Sequence, residues 1–330
     1  MNRKFTISIL ALALVGAAGS AQATEDVLHN DMDGDGRSDL VWRNASTGAI
    51  VYWPNANANK AKNVTVGILR SDLTYDQRHT TSVFAVADPW ETPRKAVLVV
   101  KDQTSGFEYG LYPSDYYLPT FNYVLGTYGY GVNSAAHGDF NADGETDVFY
   151  RNPKDGKNFF WLSAGLADWG AVYKAAPTVG IAWQVVDTGD FDGDGRSDIL
   201  WRNATTGQNG IWRSGNSGTR LYVAKVSNLD WKVAAIGDFD GDRRSDILWR
   251  NARTGANVIW RSGNHLTAQS VAAVTSKAWK VVATGDFDGD GKWDLVWRNA
   301  GTGENVLWRS ANRATRQTLP SVAREWSALM

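Results

Sequence analysis

The hydrophobic positions of this chain fall in short runs rather than in long helical stripes. Residues 185–186, 199–201 and 233–236 are typical: they are rich in β-branched and aromatic residues and are bounded by Gly-containing turns. Such runs are too short for helices and indicate β-strands. About four of them recur in each unit of about 48 residues, the period of a four-stranded propeller blade. The chain is therefore predicted to be all-β.

A nine-residue acidic loop divides the chain into repeats. It occurs at 31–39, 139–147, 190–198, 238–246 and 286–294, and the last four copies start 51, 48 and 48 residues apart. The 108-residue gap after the first copy leaves room for one degenerate copy at 88–96, which keeps Asp88. Six units of about 50 residues nearly fill 24–330. We expect a single β-propeller there with six four-stranded blades, with seven as the alternative.

The two ends of the chain complete each other in this interpretation. Residues 323–329 align with 277–282, with Trp326 matching Trp279, and so begin another repeat, whereas 27–30 are too short to supply a full first strand. The C-terminal strand is therefore expected to complete the first blade and close the propeller, since an open ring would leave unpaired strand edges.

The N-terminus has the features of an export signal. Arg3 and Lys4 precede an apolar stretch at 5–19 and a small-residue cleavage site at 21–23. We predict a signal peptide at 1–23 and a periplasmic, cell-surface or secreted protein, with an uncleaved anchor as the alternative. No other segment is expected to span a membrane. The absence of cysteine excludes thiol catalysis and Cys-based zinc sites, and four scattered histidines do not favour a His-based site.

The acidic loop has the chemistry of a calcium site. Positions 1, 3, 5 and 9 supply side-chain oxygens, position 7 a backbone carbonyl, and glycine at position 6 permits a sharp turn. Position 12 of the third loop is Trp201, so the loop is not an EF-hand. We predict about five Ca²⁺ ions, bound most weakly at 238–246 where Arg243 replaces the glycine; turns without an ion are the alternative. The predicted ligands are Asp31, Asp33, Asp35, Arg37 and Asp39; Asp139, Asn141, Asp143, Glu145 and Asp147; Asp190, Asp192, Asp194, Arg196 and Asp198; Asp238, Asp240, Asp242, Arg244 and Asp246; and Asp286, Asp288, Asp290, Lys292 and Asp294.

Calcium would change the overall charge of the protein. The full chain has a formal charge of −1, and removal of Arg3 and Lys4 with the signal makes it more negative. Five Ca²⁺ ions would reverse the sign, to about +7. A loaded protein would therefore favour anionic partners such as acidic polysaccharide. Nucleic acid is not an expected partner, because the basic residues are dispersed.

The pattern at 189–201, Gly-Asp-Phe-Asp-Gly-Asp-Gly-x-x-Asp-Ile-Leu-Trp, resembles the FG-GAP/VCBS repeat family. That family includes the propeller of integrin α-subunits, bacterial surface proteins and certain fungal lectins. The resemblance is strong over 139–330 and weak over 55–130. It implies a monomeric recognition or adhesion module for a glycan or a surface protein. A polysaccharide lyase or hydrolase and a purely structural scaffold stay as alternatives, although no nucleophile motif, His cluster or carboxylate pair outside the loops favours catalysis.

The aromatic residues divide into two groups. Tryptophans recur at fixed places in every repeat, which favours packing between blades, with neighbouring arginines stacked on the indoles, over a role as sugar platforms. Seven of the 12 tyrosines lie between 109 and 130, where the repeat is irregular. Tyrosine suits recognition, so Tyr109, Tyr112, Tyr116 and Tyr117 are candidate ligand-binding residues; a degenerate blade filled by aromatic side chains is the alternative.

Overall fold

The computed structural model describes residues 30–64, 80–87, 96–102, 108–111, 133–144, 146–162 and 172–329. Short strands linked by turns account for its regular structure, as the brief apolar runs predict. The first blade begins with β1 (Leu40–Asn44), β2 (Ile50–Trp53) and β3 (Lys62–Val64), and a separate sheet follows with β4 (Thr80–Ala87), β5 (Ala96–Asp102) and β6 (Glu108–Leu111).

Four further blades share one architecture. The second blade contains β7 (Asn133–Gly138), β8 (Asp147–Arg151), β9 (Asn158–Leu162) and β10 (Val172–Ala176); the third β11 (Trp183–Gly189), β12 (Asp198–Asn203), β13 (Asn209–Trp212) and β14 (Leu221–Val223); the fourth β15 (Trp231–Gly237), β16 (Asp246–Asn251), β17 (Asn257–Trp260) and β18 (Ala268–Val271); and the fifth β19 (Trp279–Gly285), β20 (Asp294–Asn299), β21 (Asn305–Trp308) and β22 (Gln317–Leu319). Single 3-10 turns lie at Pro54–Ala56, Ala58–Lys60, Arg213–Gly215, Ser217–Thr219, Arg261–Gly263, His265–Thr267, Arg309–Ala311 and Arg313–Thr315.

The last strand closes the ring. β23 (Trp326–Ala328) pairs antiparallel with β1, so that Trp42 faces Ala328 and Asn44 faces Trp326. The first blade therefore takes three strands from the start of the domain and one from its end. This confirms the predicted closure by the C-terminal strand and covers the edge of β1.

The predicted number of four-stranded blades is wrong. The described residues form five four-stranded blades, not six or seven, and the sheet of β4, β5 and β6 has three strands. The degenerate loop at 88–96 falls between β4 and β5, and its residues 88–95 lie outside the described part. This segment keeps Asp88 but lacks the other loop aspartates and the Trp-Arg-Asn strand of the other units. Equal spacing alone therefore does not predict a four-stranded blade.

In the second to fifth blades the acidic loop connects the first two strands, and in the first blade it precedes β1. In the fourth blade Trp231 pairs with Asn251 and Gly237 pairs with Asp246, with a bulge between Val233 and Ala235. Equivalent bulges interrupt β7, β11 and β19. A bulge adds one residue and bends the strand. The loop is thus clamped at both ends by paired residues.

The hydrophobic core lies between blades. Leu40 and Trp42 of the first blade pack in one cluster with Phe287 and Leu307 of the fifth, and similar clusters join the second to the third blade, the third to the fourth and the fourth to the fifth. Trp42, Trp249 and Trp297 are almost completely buried. Packing is therefore the role of these tryptophans, as predicted.

Four arginines at the same position of their repeats, Arg151, Arg202, Arg250 and Arg298, each stack on a tryptophan of the next blade. Arg202 lies over the ring of Trp249 at 4.9 Å, and Arg298 lies over Trp42 at 5.1 Å. The prediction of arginine on indole is confirmed, but the partner belongs to the neighbouring blade rather than to the adjacent residue. Arg202 also donates to Asn209 Oδ1 at 2.8 Å and to the carbonyl oxygen of Trp231 at 3.2 Å, so the Arg-Asn pair is a structural hydrogen-bonding element.

Candidate metal loops

The first aspartate of each loop organises the backbone around it. Asp190 Oδ1 accepts from the N–H of Gly193 at 2.7 Å, and its Oδ2 accepts from the N–H of Gly195 at 2.9 Å. Gly193 and Gly195 have φ values of 77° and 78°, a left-handed conformation that glycine adopts without steric cost. The predicted role of glycine at position 6 is therefore seen in the structure. Asp31, Asp139, Asp238 and Asp286 accept equivalent bonds.

The aspartate at position 9 of the loop, called the ninth aspartate below, connects the loop to the end of the third strand by hydrogen bonds. Asp198 is fully buried; its Oδ2 accepts from the N–H of Phe191 at 2.9 Å and its Oδ1 from the N–H of Ser214 at 2.7 Å. Asp39, Asp246 and Asp294 hold the same two kinds of donor. Each ninth aspartate thus fixes two segments of its blade.

A second turn completes the loops of the first, third, fourth and fifth blades, and it was not predicted from the sequence. Ser214 adopts φ 47° directly after β13, donates its N–H to the ninth aspartate and places its hydroxyl 3.3 Å from Asp194 Oδ2. Ser262 and Ser310 repeat this arrangement, and Asn55 takes the place in the first blade. The signal was present in the sequence as Trp-Arg-Ser at 212–214, 260–262 and 308–310.

The arginine of that turn pairs with the aspartate at position 3 of the loop. Arg261 Nε lies 3.1 Å from Asp240 Oδ2, and Arg309 Nε lies 3.1 Å from Asp288 Oδ2. These pairs are partly exposed, and exposed pairs contribute little to stability. Each pair engages the Oδ2 atom of the aspartate at position 3 and leaves its Oδ1 atom for the loop.

The carboxylates of four loops converge closely enough to share an ion. Ligand oxygens lie within 4.8 Å of one another in the groups Asp31, Asp33 and Asp39; Asp190, Asp192 and Asp194; Asp238, Asp240 and Asp246; and Asp286, Asp288 and Asp290. Asp33 Oδ1, Asp192 Oδ1 and Asp288 Oδ1 are buried and accept no hydrogen bond from the described residues. Buried polar oxygens normally have a partner, so the donor set fits a hard cation that prefers oxygen.

The second loop differs from the other four. Asn141 uses its amide within the loop: its Oδ1 accepts from the N–H of Asp143 at 2.9 Å and its Nδ2 donates to Asp143 Oδ2 at 2.9 Å. The predicted ligand Glu145 lies outside the described residues. No group of three converging acidic side chains forms in the part of this loop that the structure describes.

Burial raises the pKa of the ninth carboxyl groups. The pKa of Asp39 rises from 3.8 to about 8, and those of Asp198, Asp246 and Asp294 rise to about 7, mainly through desolvation and secondarily through neighbouring aspartates, against hydrogen bonds that lower them. The pKa of Asp31 rises to about 6 for the same reason. Without a cation the folded loops therefore bind protons near neutral pH, and a divalent ion would compensate the same crowding of negative charge.

The fourth loop keeps its turn despite the missing glycine. Arg243 adopts φ 66°, and its N–H donates to Asp238 Oδ2 at 2.7 Å, as the glycine does elsewhere. A left-handed conformation costs a residue with a Cβ roughly 1–2 kcal/mol. The geometry is kept at the expense of strain, and the lower calcium affinity of this loop stays a prediction.

Neighbouring loops are joined by backbone hydrogen bonds. The N–H of the eighth residue donates to the carbonyl oxygen of the first aspartate in the preceding blade: Ser197 to Asp139, Ser245 to Asp190, Trp293 to Asp238, and Ser38 to Asp286, at 2.6–2.8 Å. The seventh residue, predicted as a carbonyl ligand, also uses its side chain across the same boundary. Arg244 and Lys292 pack against Gly193 and Gly241 of the preceding loop.

The predicted tyrosine site is largely outside the described structure. Tyr109 lies on β6, and Tyr112, Tyr116 and Tyr117 lie outside the described residues. Two acidic residues considered for catalysis, Asp102 and Glu108, lie on the paired strands β5 and β6. The signal peptide at 1–23 also falls outside the described part.

The fold and the loops define a class: a β-propeller whose blades carry acidic turns rich in oxygen ligands. Two family models match the chain, the FG-GAP-like repeat at residues 139–201 and 238–297 and the FG-GAP repeat at residues 182–223. Residues 139–223 and 238–297 of the chain therefore carry FG-GAP repeats. This confirms the resemblance inferred from the sequence.

Comparison with other proteins adds little beyond the family. No curated protein matches the sequence. Among solved structures, a nidogen/laminin complex has a chain with a TM-score of 0.45 and 11% identity, covering 88% of this chain and 96% of that chain. Virginiamycin B lyase from Staphylococcus aureus has a TM-score of 0.46 and 10% identity, covering 93% and 87%, and BBS1N in complex with ARL6DN has 0.45 and 12%, covering 90% and 82%.

A search of the described residues for a helix that is both long and apolar enough to cross a bilayer finds none.

Proposed function

We propose that this protein is an exported calcium-binding propeller that serves as a recognition or adhesion module for a glycan or a protein partner. One observation carries the calcium part: three loops each present a buried third-position oxygen without a donor, beside carboxyl groups whose pKa values burial raises. That combination is unfavourable for the metal-free loop and favourable for a bound cation.

The role of the ions follows from where the ligands lie. The ninth aspartate joins the loop to the second turn, and the backbone of the first aspartate joins one blade to the next. An ion held by these residues would lock both connections at once. Calcium would then be structural, stabilising a rigid surface on which a partner is recognised.

The test is to measure thermal unfolding and metal content of the mature protein. A site filled at a hundred times its Kd adds about 2.7 kcal/mol of stability, so chelation of several sites is expected to lower Tm by at least about 10 °C. Re-addition of Ca²⁺ should restore Tm, and Mg²⁺ at the same concentration should not, since it requires stricter octahedral geometry.

Asp192→Asn tests a single site, because Asp192 Oδ1 accepts no hydrogen bond from the described residues. Elemental analysis of this variant is expected to find one Ca²⁺ fewer per chain, with circular dichroism unchanged. An identical melting curve with chelator and with calcium would refute the proposal.

A further inference from the structure

A cleft of about 660 Å³ opens between the fourth and fifth blades, beside the fourth acidic loop. Its apolar lining includes Ile259 and Ala311, both buried, and its polar lining includes side chains from both blades. Ligand sites typically measure roughly 300–1,000 Å³ and combine an apolar surface with a few polar groups. The cleft has the size and the mixed character of such a site.

Three cations surround this cleft. Arg261 comes from the fourth blade, and Lys292 and Arg313 come from the fifth. Arg261 pairs with Asp240, whereas Lys292 and Arg313 form no ion pair within the residues that the structure describes. Positive charge is therefore available on the fifth-blade side.

The polar groups are held in place and keep hydrogen-bond donors free. Arg261 donates from Nη2 to Gln269 Oε1 at 2.7 Å, and Asn312 Oδ1 accepts from the N–H of Ala314 at 2.9 Å. Both amides are thereby oriented through their oxygens. Their NH₂ groups have no acceptor among the described residues and remain able to donate to a ligand.

The repeat shows that this cleft is not simply the common pattern. The position of Arg313 is occupied by His265 in the fourth blade, Ser217 in the third and Ala58 in the first. The position of Gln269 is occupied by Leu221 in the third blade and by Gln317 in the fifth, where Arg309 donates to its Oε1 at 3.2 Å. Arg313 beside the Arg261–Gln269 contact is thus the departure from the repeat, and departures are where specific function resides.

We propose that this cleft binds a uronate-bearing oligosaccharide. Arg313 and Lys292 would hold the carboxylate, which suits a planar guanidinium. The amides of Gln269 and Asn312 would donate to ring hydroxyls, and Ile259 and Ala311 would contact the apolar face of the sugar.

The inference rests on the proposed calcium function. Asp240 and Asp246 line both the fourth loop and the cleft, and their charges would repel an anion. A calcium ion in the loop offsets that repulsion. Saccharide binding is therefore expected to require an occupied fourth loop.

Isothermal titration calorimetry with a hyaluronan tetrasaccharide tests the inference on the mature, calcium-loaded protein. Binding is expected to weaken about tenfold or more in Arg313→Ala, a substitution that copies the alanine of the first blade, because a charge-assisted hydrogen bond is lost. Arg253→Ala is the charge-matched control, since Arg253 pairs with Asp230 on a surface turn and does not line the cleft. Its affinity should equal that of the wild type.

Neutral chitotetraose and a hexaglutamate peptide complete the experiment. Binding of either as tightly as hyaluronan, or an equal loss in Arg253→Ala, would overturn the saccharide assignment. Unchanged affinity in a folded, chelated sample would overturn the link to the fourth loop. If calcium raises Tm but hyaluronan does not bind, this inference fails and the proposed calcium function stands; without a Tm shift, the calcium function fails.

Discussion

The first and fourth acidic loops reach the same geometry by different means. The first loop has glycine at position 6, Gly36, and the turn beside it carries Pro54 and Asn55. The fourth has the strained Arg243 at position 6, and Arg261 in the adjacent turn pairs with Asp240. The fourth loop therefore has a cation, Arg261, beside the aspartate at position 3, and its backbone is strained at Arg243.

The first loop has an unstrained backbone but less compensation of its negative charge. Its backbone has glycine where the turn requires it, but no arginine or lysine among the described residues forms an ion pair with Asp33, and Asp33 Oδ1 has no donor. The pKa of its ninth carboxyl rises to about 8, compared with about 7 in the fourth loop. The comparison teaches that the first loop depends more on a bound ion.

The largest expected effect is a pH dependence of the metal-free protein. The folded-state pKa values of Asp39 and Asp246 lie above the unfolded value of 3.8, so the folded state binds more protons between these limits. Stability in EDTA is then fully present below about pH 4 from these groups and is lost as pH rises towards 8. Tm measured from pH 5 to 8 should fall in EDTA and not in calcium.

The same titration distinguishes the two loops. Asp39→Asn should flatten the EDTA profile more than Asp246→Asn, because Arg261 pairs with Asp240 beside Asp246, whereas Asp33 beside Asp39 has no ion pair within the described residues. Equal flattening by the two variants would contradict the inference that the first loop depends more on a bound ion. A flat wild-type profile would show that burial does not raise the pKa of these carboxyl groups.

A smaller effect is expected from removing either ninth side chain. Asp39→Ala and Asp246→Ala each leave two backbone N–H groups without an acceptor, so each should cost about 2–5 kcal/mol of unfolding free energy in EDTA. Urea denaturation measures this loss. Similar values for the two variants would show that the ninth aspartate has a common role and that the loops differ elsewhere; Asp35→Ala, at an exposed fifth position, should cost less than about 1 kcal/mol.

The smallest effect concerns position 6. Arg243→Gly should stabilise the protein by about 1 kcal/mol by relieving the left-handed conformation, partly offset by the chain entropy of glycine. The reciprocal Gly36→Arg should destabilise by a similar amount, since no atom lies within 4 Å of the position of a Cβ at Gly36 and strain alone acts there. Urea denaturation of both variants checks the sign of each change. A destabilised Arg243→Gly or a stabilised Gly36→Arg would show that strain at position 6 does not distinguish the two loops.

The sequence predicted those features that depend on repeated side chains. The loops, the buried tryptophans and the pairing of β23 with β1 all follow from periodic residues such as Asp198, Trp201 and Trp326. The partner of each arginine could not be predicted, because stacking crosses from Arg202 to Trp249 of the next blade. That contact depends on how blades are arranged around the axis, which no single repeat encodes.

The second turn and the blade count were missed for different reasons. Ser214 acts through a left-handed backbone N–H, a property of conformation rather than of residue type. The sheet of β4–β6 was expected as a sixth four-stranded blade from the available length, but length does not specify strand pairing. Where the repeated acidic residues are missing, so is the basis for predicting a complete blade.

The pairing of β23 with β1 also determines when the fold can be finished. Trp42 and Ala328 are partners across nearly the whole chain, and contacts between distant residues form late because the intervening loop must first be closed. Because the polypeptide is synthesised from its N-terminus, the first blade has only β1, β2 and β3 while the strands of the later blades are being made. Its fourth strand is synthesised after the strands of the fifth blade, so the ring closes only after those strands have been made.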